Sequence, residues 1–381
     1  MVLRSDADSI SIVLQNNGGF VSARRTFRCA GRRARNIGFT KRAYTPAPML
    51  ELATPRGLPV RVPEVLTEDP SPRFSAQESE KIRAYYEDNG YVIVKSVFSH
   101  DVCDTQRKFW EQEVKPFRGY IYRQATAKAE KHVFNDNGWV MNPILNLQSV
   151  DPRQFRRFRK HATESVLTAP ALRDLFKILL QDAPKIVQSM YFEGNSATWE
   201  HQDSYYLDSE KVGEMAAAWI AVETISARAG RFFICPHSHK IRLDDHSLTN
   251  NVAEHHEVYI SSVVDKIKRL KLEIRAPALE KGDVLFWNAL TIHGSLDSQD
   301  PQHSRSSITC HAIPSSRLFL SLQARLLDVG TDEVNGTRVY RPKDLGALKN
   351  RLIFQIESRF PSLFYWAKRH AVKQLFRQKS A

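Results

Sequence analysis

His201 and Asp203 stand two apart in the stretch Thr198-Trp199-Glu200-His201-Gln202-Asp203-Ser204-Tyr205-Tyr206. Residues two apart on a β-strand project to the same face. An imidazole nitrogen and a carboxylate oxygen can therefore be aimed at one point. With a second histidine from elsewhere, such a pair makes the 2-His-1-carboxylate facial triad of non-haem Fe(II) oxygenases. A bare His-x-Asp arises by chance in many chains, so its meaning depends on what else the chain supplies. The turn Lys281-Gly282-Asp283 leads into the apolar run Val284 to Trp287, which reads as a strand, and the chain then reaches His293-Gly294-Ser295. His293 thus follows a strong strand and opens a Gly/Ser turn. An isolated histidine there would ordinarily be a core residue; beside His201 and Asp203 it is the candidate third ligand.

Oxygenases of this kind need a two-electron co-reductant, and a 2-oxoacid that chelates the metal serves. Its far carboxylate must be anchored, which arginine does through a planar two-toothed fork. Arg305 lies twelve residues past His293 and opens the apolar run Ser306 to Ile313. A short hairpin would return it to the metal.

These residues need a scaffold. Ile186 to Phe192, Met215 to Glu223, Arg231 to Cys235, Asp283 to Trp287 and Ser306 to Ile313 are short apolar or β-branched runs separated by turn residues, the pattern of a sandwich or jelly roll. Helices are expected from Ser75, where Ser75-Ala-Gln-Glu78 resembles a capping box, over His100 to Val114, and through 151–182, where Phe155, Phe158, Val166, Leu172, Phe176 and Leu179 share a face. Ile260, Val263, Val264, Ile267 and Leu270 mark a helix inserted over the barrel mouth or flank.

The order and spacing of His201-Gln-Asp203, Trp219, Pro236-His-Ser-His-Lys240, Gly282-Asp283, His293-Gly-Ser295 and Arg305-Ser-Ser-Ile-Thr-Cys-His311 resemble the phytanoyl-CoA dioxygenase family of Fe(II)/2-oxoglutarate-dependent oxygenases. The likeness runs over about residues 75–315. It implies a mainly β fold with flanking helices around a double-stranded β-helix (jelly roll, cupin-like) core. It implies His201, Asp203 and His293 as catalytic iron ligands, with Fe(II), 2-oxoglutarate and O2 as cofactor and co-substrates. Arg305 would bind the distal carboxylate of 2-oxoglutarate and Ser295 would make a second contact to it. Trp219 would line the co-substrate site, and either Gln188 or Tyr191 would face it. His237 stands where the family usually has a turn glycine. Iron halogenases resembling this family replace the carboxylate ligand by a small residue; Asp203 is present, so hydroxylation of a small organic substrate with release of succinate and CO2 is implied.

The 381 residues suffice for one large domain with extensions. The formal net charge of +13 is carried by the ends: residues 1–48 hold nine Lys/Arg against two Asp/Glu and residues 341–381 hold ten against two, whereas 49–340 hold 36 against 38. The body is therefore near neutral, and no nucleic-acid partner is expected. Residues 1–48 read as a disordered basic extension, with Met49 an alternative start and a transit peptide the sharper reading; 49–74 as a proline-rich linker or arm; 75–340 as the dioxygenase domain; and 341–381 as a basic helical extension. In that last part Leu345, Leu348, Leu352 and Ile356 form a stripe. Pro361 breaks it, and a basic amphipathic segment follows to Gln378, with Lys368, Arg369, Lys373 and Arg377 beside Phe364, Trp366 and Leu375; for that segment a helix packed on the body with a solvated basic face is favoured over peripheral membrane contact. The four scattered cysteines, the lack of a long apolar run and a C-terminal Lys-Ser-Ala that is not Ser-Lys-Leu read as an intracellular, cytoplasmic protein, monomeric or homodimeric. Arg118, Arg123, Lys128, Lys131, Asn142, Asn146 and Lys266 would form a rim suited to an anionic substrate. Two other readings stay open: a jelly-roll enzyme with another metal and no 2-oxoglutarate, and a binding or regulatory protein whose basic tails dock on an anionic surface.

Overall fold

Strands buried on both faces are continuous apolar runs rather than alternating ones, and Ala216–Ala221, with all six residues buried, is the clearest case. In the computed structural model, which describes residues 49–194, 196–241, 243, 255–322, 325–368 and 370, such runs build two facing sheets. The basic extension 1–48 and the last eleven residues lie outside the described part.

The elements that matter here are, in chain order, β1 (Met49–Ala53), β2 (Pro59–Pro63), α1 (Ser79–Asn89), β3 (Tyr91–Val94), α2 (His100–Phe109), α3 (Pro170–Leu180), β4 (Pro184–Phe192), β5 (Thr198–His201), β6 (Ala216–Ala221), β7 (Phe232–Ile234), α4 (His256–Leu270), β8 (Val284–Asn288), β9 (His293–Ser295), β10 (Ser307–Pro314) and α5 (Leu348–Arg359). The larger sheet runs β4-β10-β6-β8-β3 through its centre, and the smaller runs β7-β9-β5. From β4 to β10 these strands alternate between the two sheets, with one short strand, Leu207–Ser209, set aside in a third sheet. That winding is the double-stranded β-helix, and it makes the fold mainly β with flanking helices, as expected.

Pairing register sorts the large sheet into two faces. Gln188, His311, Ala217, Trp287 and Tyr91 lie in one cross-strand row, and Met190, Thr309, Trp219, Leu285 and Ile93 in the next. These rows face the interior, where Trp219, Leu285 and Trp287 pack with Phe232 of the small sheet. The alternate residues, among them Ala218, Ile220, Phe286, Ile308 and Cys310, pack outward against helices that supply Phe158, Leu172 and Phe176. Phe176 meets Phe286 edge-on at 5.3 Å.

The helical expectations hold at 100–109 and 170–180, and wider π turns follow at 110–114 and 162–167. At Ser75 only part of the capping box forms: the Ser75 N–H donates to the Glu78 carboxylate at 2.8 Å, and α1 starts at Ser79. Helix α4 buries Tyr259, Ile260, Val263, Val264 and Ile267 against β5 and its surroundings, whereas Leu270 is exposed.

The proline-rich stretch contains a hairpin. β1 and β2 pair antiparallel, and Leu58, Val60 and Val62 are buried, the two valines against Phe233 and Leu296. Its prolines bracket a Val-x-Val alternation, which is what buries it. Near the other end, α5 docks through Phe354, whose ring meets Tyr122 at 5.0 Å, and through buried Glu357. The stripe Leu348, Leu352 and Ile356 faces outward, so only Leu345 of the expected stripe is buried.

Candidate metal centre

β9 pairs with β5 so that His293 lies directly opposite His201. Gly294 makes that approach possible: a Cβ there would stand 2.5 Å from the Thr198 carbonyl oxygen and 2.6 Å from the Phe233 ring. The imidazole centroids of His201 and His293 are 4.3 Å apart. Asp203 is not on the strand; it opens a short 3-10 turn, Asp203–Tyr205. Gln202 keeps extended backbone angles (φ −110°, ψ 135°), so the alternation expected of a strand carries through to Asp203 and turns its side chain toward the histidines.

Each histidine has one nitrogen committed. His201 Nδ1 lies 2.8 Å from the Trp199 carbonyl and His293 Nδ1 lies 2.8 Å from the Thr291 carbonyl. A carbonyl only accepts, so both Nδ1 atoms carry a proton, which leaves Nε2 as the atom each neutral imidazole would offer to a metal. Both Nε2 atoms are 3.6 Å from the same oxygen, Asp203 Oδ1. Two atoms bound to one metal at roughly 2.1 Å lie at most about 4.2 Å apart, so both separations fit a shared ion. Among the described residues, this is the one group of three metal-binding side chains that converge.

The other oxygen of Asp203 is held from behind. Trp287 Nε1–H donates to Oδ2 at 2.8 Å, and His311 Nε2 lies 3.3 Å from it. Trp287 and His311 flank Ala217 in the register of the large sheet, and the small alanine leaves room for both to reach the carboxylate. Burial works against ionisation of Asp203, but the His293 and His311 imidazoles outweigh it and hold the carboxyl well below the usual range. Trp287→Phe keeps an aromatic side chain and deletes the donor. Losing such an outer partner typically costs about 10–100-fold in metal affinity, and an Fe(II) titration of this variant is expected to show a loss in that range.

Arg305 is fully buried. Its backbone N–H donates to the Glu193 carbonyl at 2.7 Å, and its Nη1 donates to the Gly230 carbonyl at 3.0 Å. The guanidinium sits against the rings of Phe192 and Trp219, 5.5 and 5.9 Å from their centroids. Nε has no hydrogen-bond partner, and no carboxylate of the described residues pairs with the group. Burial accordingly pushes its pKa down to about 9. Leaving an ion buried and unpaired costs several kcal/mol, so the guanidinium is a group that could hold an incoming anion. A row of rings joins it to the histidines: Trp219 lies 6.2 Å from Phe232, and Phe232 stacks on His293 at 5.3 Å.

The remaining expected residues fall as follows. Trp219 is buried on the inner face between Arg305 and Phe232. Ser295 is buried on β9, and its Oγ accepts the Thr198 N–H at 3.0 Å. Gln188 lies opposite His311 on the inner face, whereas Tyr191 stacks on Trp110 at 4.2 Å among the outer helices, so of the two only Gln188 faces the interior. Arg123 is no rim residue: it is buried and donates to the carbonyls of Glu130 and Asn142. Sequence reasoning gave no role to Trp287, His311, Tyr206 or Tyr259. Tyr206 meets His201 edge-on at 5.7 Å and bonds His256, while the Tyr259 hydroxyl takes the Gln202 N–H at 2.8 Å and ties α4 to the ligand turn.

His237 takes the turn with φ +63°, the left-handed region that favours glycine. Its half-exposed ring bonds the Asp88 carbonyl, a contact that returns less than the backbone cost of about 1–2 kcal/mol. His237→Gly is expected to raise stability by about 0.5–1 kcal/mol, read as a melting temperature higher by roughly 2 °C.

The model of the family described as phytanoyl-CoA dioxygenase matches residues 86–306. The peroxisomal phytanoyl-CoA dioxygenase of Mus musculus is 27% identical over 268 residues, which cover 67% of this chain and 72% of that protein. The Homo sapiens protein of the same name is 25% identical over 267 residues, covering 66% and 72%. Among solved structures, the epimerase SnoN in complex with Fe3+, alpha ketoglutarate and nogalamycin RO aligns with a TM-score of 0.48 at 16% identity, over 70% of this chain and 95% of that one. EctD from S. alaskensis with 2-oxoglutarate and 5-hydroxyectoine aligns with a TM-score of 0.47 at 14% identity, over 78% and 97%. The family match spans more than half of the chain and contains all three converging side chains together with Arg305, and on that ground the chain belongs to the phytanoyl-CoA dioxygenase family of iron- and 2-oxoglutarate-dependent oxygenases.

Proposed function

We propose that His201, Asp203 and His293 hold the iron of this oxygenase, that Arg305 takes the distal carboxylate of 2-oxoglutarate, and that the enzyme hydroxylates a small organic molecule at the open side of that centre. The observation that carries the reading is the buried Arg305 guanidinium, unpaired with any described carboxylate, on the wall that leads to the His–Asp–His cluster.

Iron in this cluster supplies the activation of O2 that couples decarboxylation of 2-oxoglutarate, to succinate and CO2, with oxidation of the substrate. The chain supplies position and exclusion. The two Nδ1–H bonds to Trp199 and Thr291 keep both Nε2 lone pairs facing inward. Trp287 fixes the Asp203 carboxylate by one oxygen and leaves the other toward the histidines. Arg305 orients the co-substrate through a charge-assisted fork in a dry wall, where such a bond is strongest. Trp219, Phe232 and Trp287 form the apolar lining that keeps water away. Ser295 is assigned a second contact to the co-substrate, and Gln188 an inward position beside it.

A panel of small organic substrates, led by the acyl-CoA thioesters in the relatives' name, tests the reading by succinate release. Release that rises with one class of substrate and stops when Fe(II) is chelated is the expected result. Release that is indifferent to chelation contradicts it.

A further inference from the structure

The face of α5 opposite its docking residues carries Leu348, Leu352 and Ile356; past a break at Phe360 (φ −133°, ψ 59°) residues 361–368 are helical again, and Leu348, Leu352, Ile356, Phe360, Leu363 and Trp366 are each between 52% and 63% exposed. Side chains recurring every three or four positions along a helix form one apolar stripe. Here the stripe points away from the body, because the helix is anchored by the other side: Phe354 on Tyr122, and Glu357 accepting from the Tyr122 hydroxyl at 3.0 Å and from the Ala129 N–H at 3.2 Å. A contiguous apolar surface of this kind marks an interaction site.

Charge decides the occupant. The segment 341–381 has ten Lys/Arg and two Asp/Glu. Both acids are taken up within the protein, Asp344 by Arg159 at 2.7 Å and Glu357 by Tyr122 and Tyr365, and Glu357 is buried. The charge left on the surface around the stripe is cationic, with Lys349, Arg359 and Lys368 exposed. A second copy of this face would bring cations onto cations. From these observations we infer that the stripe rests on the surface of an anionic phospholipid bilayer, with the leucines, Phe360 and Trp366 in the headgroup–acyl boundary and the lysines and arginines on the lipid phosphates and carboxylates. No helix among the described residues is long and apolar enough to cross a membrane, so this segment lies on the bilayer rather than through it.

The test is co-sedimentation of the full chain with vesicles of phosphatidylcholine alone and of phosphatidylcholine with about 30% phosphatidylserine. At least about tenfold stronger partitioning onto the anionic vesicles is expected, falling steeply with added salt. The triple variant Leu352→Ser, Ile356→Ser, Trp366→Ser should lose about tenfold or more of that partitioning. A charge-reversal variant, Lys349→Glu, Arg359→Glu, Lys368→Glu, should lose a comparable factor on the anionic vesicles alone. All six side chains are exposed, and an unchanged melting temperature confirms that each variant is folded. Equal partitioning onto both vesicles, or retention of binding by both variants, overturns the proposal. So does a vesicle-free dimer that the triple serine variant dissolves into monomers, which would make a second copy the occupant.

Discussion

Asp203→Ala and His293→Ala are each expected to abolish iron-dependent succinate release and to weaken Fe(II) binding by more than about 100-fold. The floor follows from the shell outside the ligands, whose loss alone costs about 10–100-fold in affinity. Asp203→Ala removes the one anion among the three converging side chains and leaves the Trp287 N–H and the His311 ring without their shared partner. His293→Ala removes a neutral ligand and opens a void beside Phe232 and Trp287. The check is Fe(II) titration under anaerobic conditions together with the succinate assay, with the fold of each variant verified by melting. Wild-type iron affinity in either variant would remove the cluster from consideration as the metal site.

Arg305→Ala is expected to leave iron binding close to wild type while weakening 2-oxoglutarate by roughly 30-fold or more. Truncating one partner of a buried, hydrogen-bonded charge pair costs about 2–5 kcal/mol, and each 1.4 kcal/mol is a factor of ten. The separation of the two effects is the informative part. Among the described residues, Arg305 shares no polar contact with the three converging side chains, and its guanidinium donates to the Gly230 carbonyl. Removing a buried cation that has no described counter-ion should not lower stability of the unliganded protein by the usual margin for a buried pair. A melting curve near wild type with a failed co-substrate titration is the combined signature; an unchanged 2-oxoglutarate affinity would show that the carboxylate is held elsewhere.

The three converging side chains were legible in the sequence because the chemistry proposed for them restricts residue type and strand placement restricts spacing. His201, Asp203 and His293 could be picked out without knowing the register of any sheet. Trp287 and His311 could not, since their approach to Asp203 depends on both lying beside Ala217 in neighbouring strands. Gln188 and Tyr191 stand three apart, so alternation puts them on opposite faces; the sheet register decides that Gln188 is the one facing inward. The proline content of 49–74 concealed a hairpin whose valines alternate into the core. In the C-terminal helix the spacing of Leu348, Leu352 and Ile356 revealed a stripe but not its direction. Phe354 and Glu357 settled that by docking the other side. At His237, which stands where the resemblance expects a turn glycine, the backbone keeps the left-handed conformation and the histidine bears its cost.

The central claim is that the His–Asp–His cluster and Arg305 form one site that binds iron and 2-oxoglutarate together. Anaerobic calorimetric titration of 2-oxoglutarate into the full chain, with and without Fe(II), tests it most directly. One molecule bound per chain is predicted in the presence of iron, with binding at least about tenfold weaker when iron is withheld, because the metal and the arginine each hold one end of the co-substrate. Equal affinity with and without iron would contradict the account.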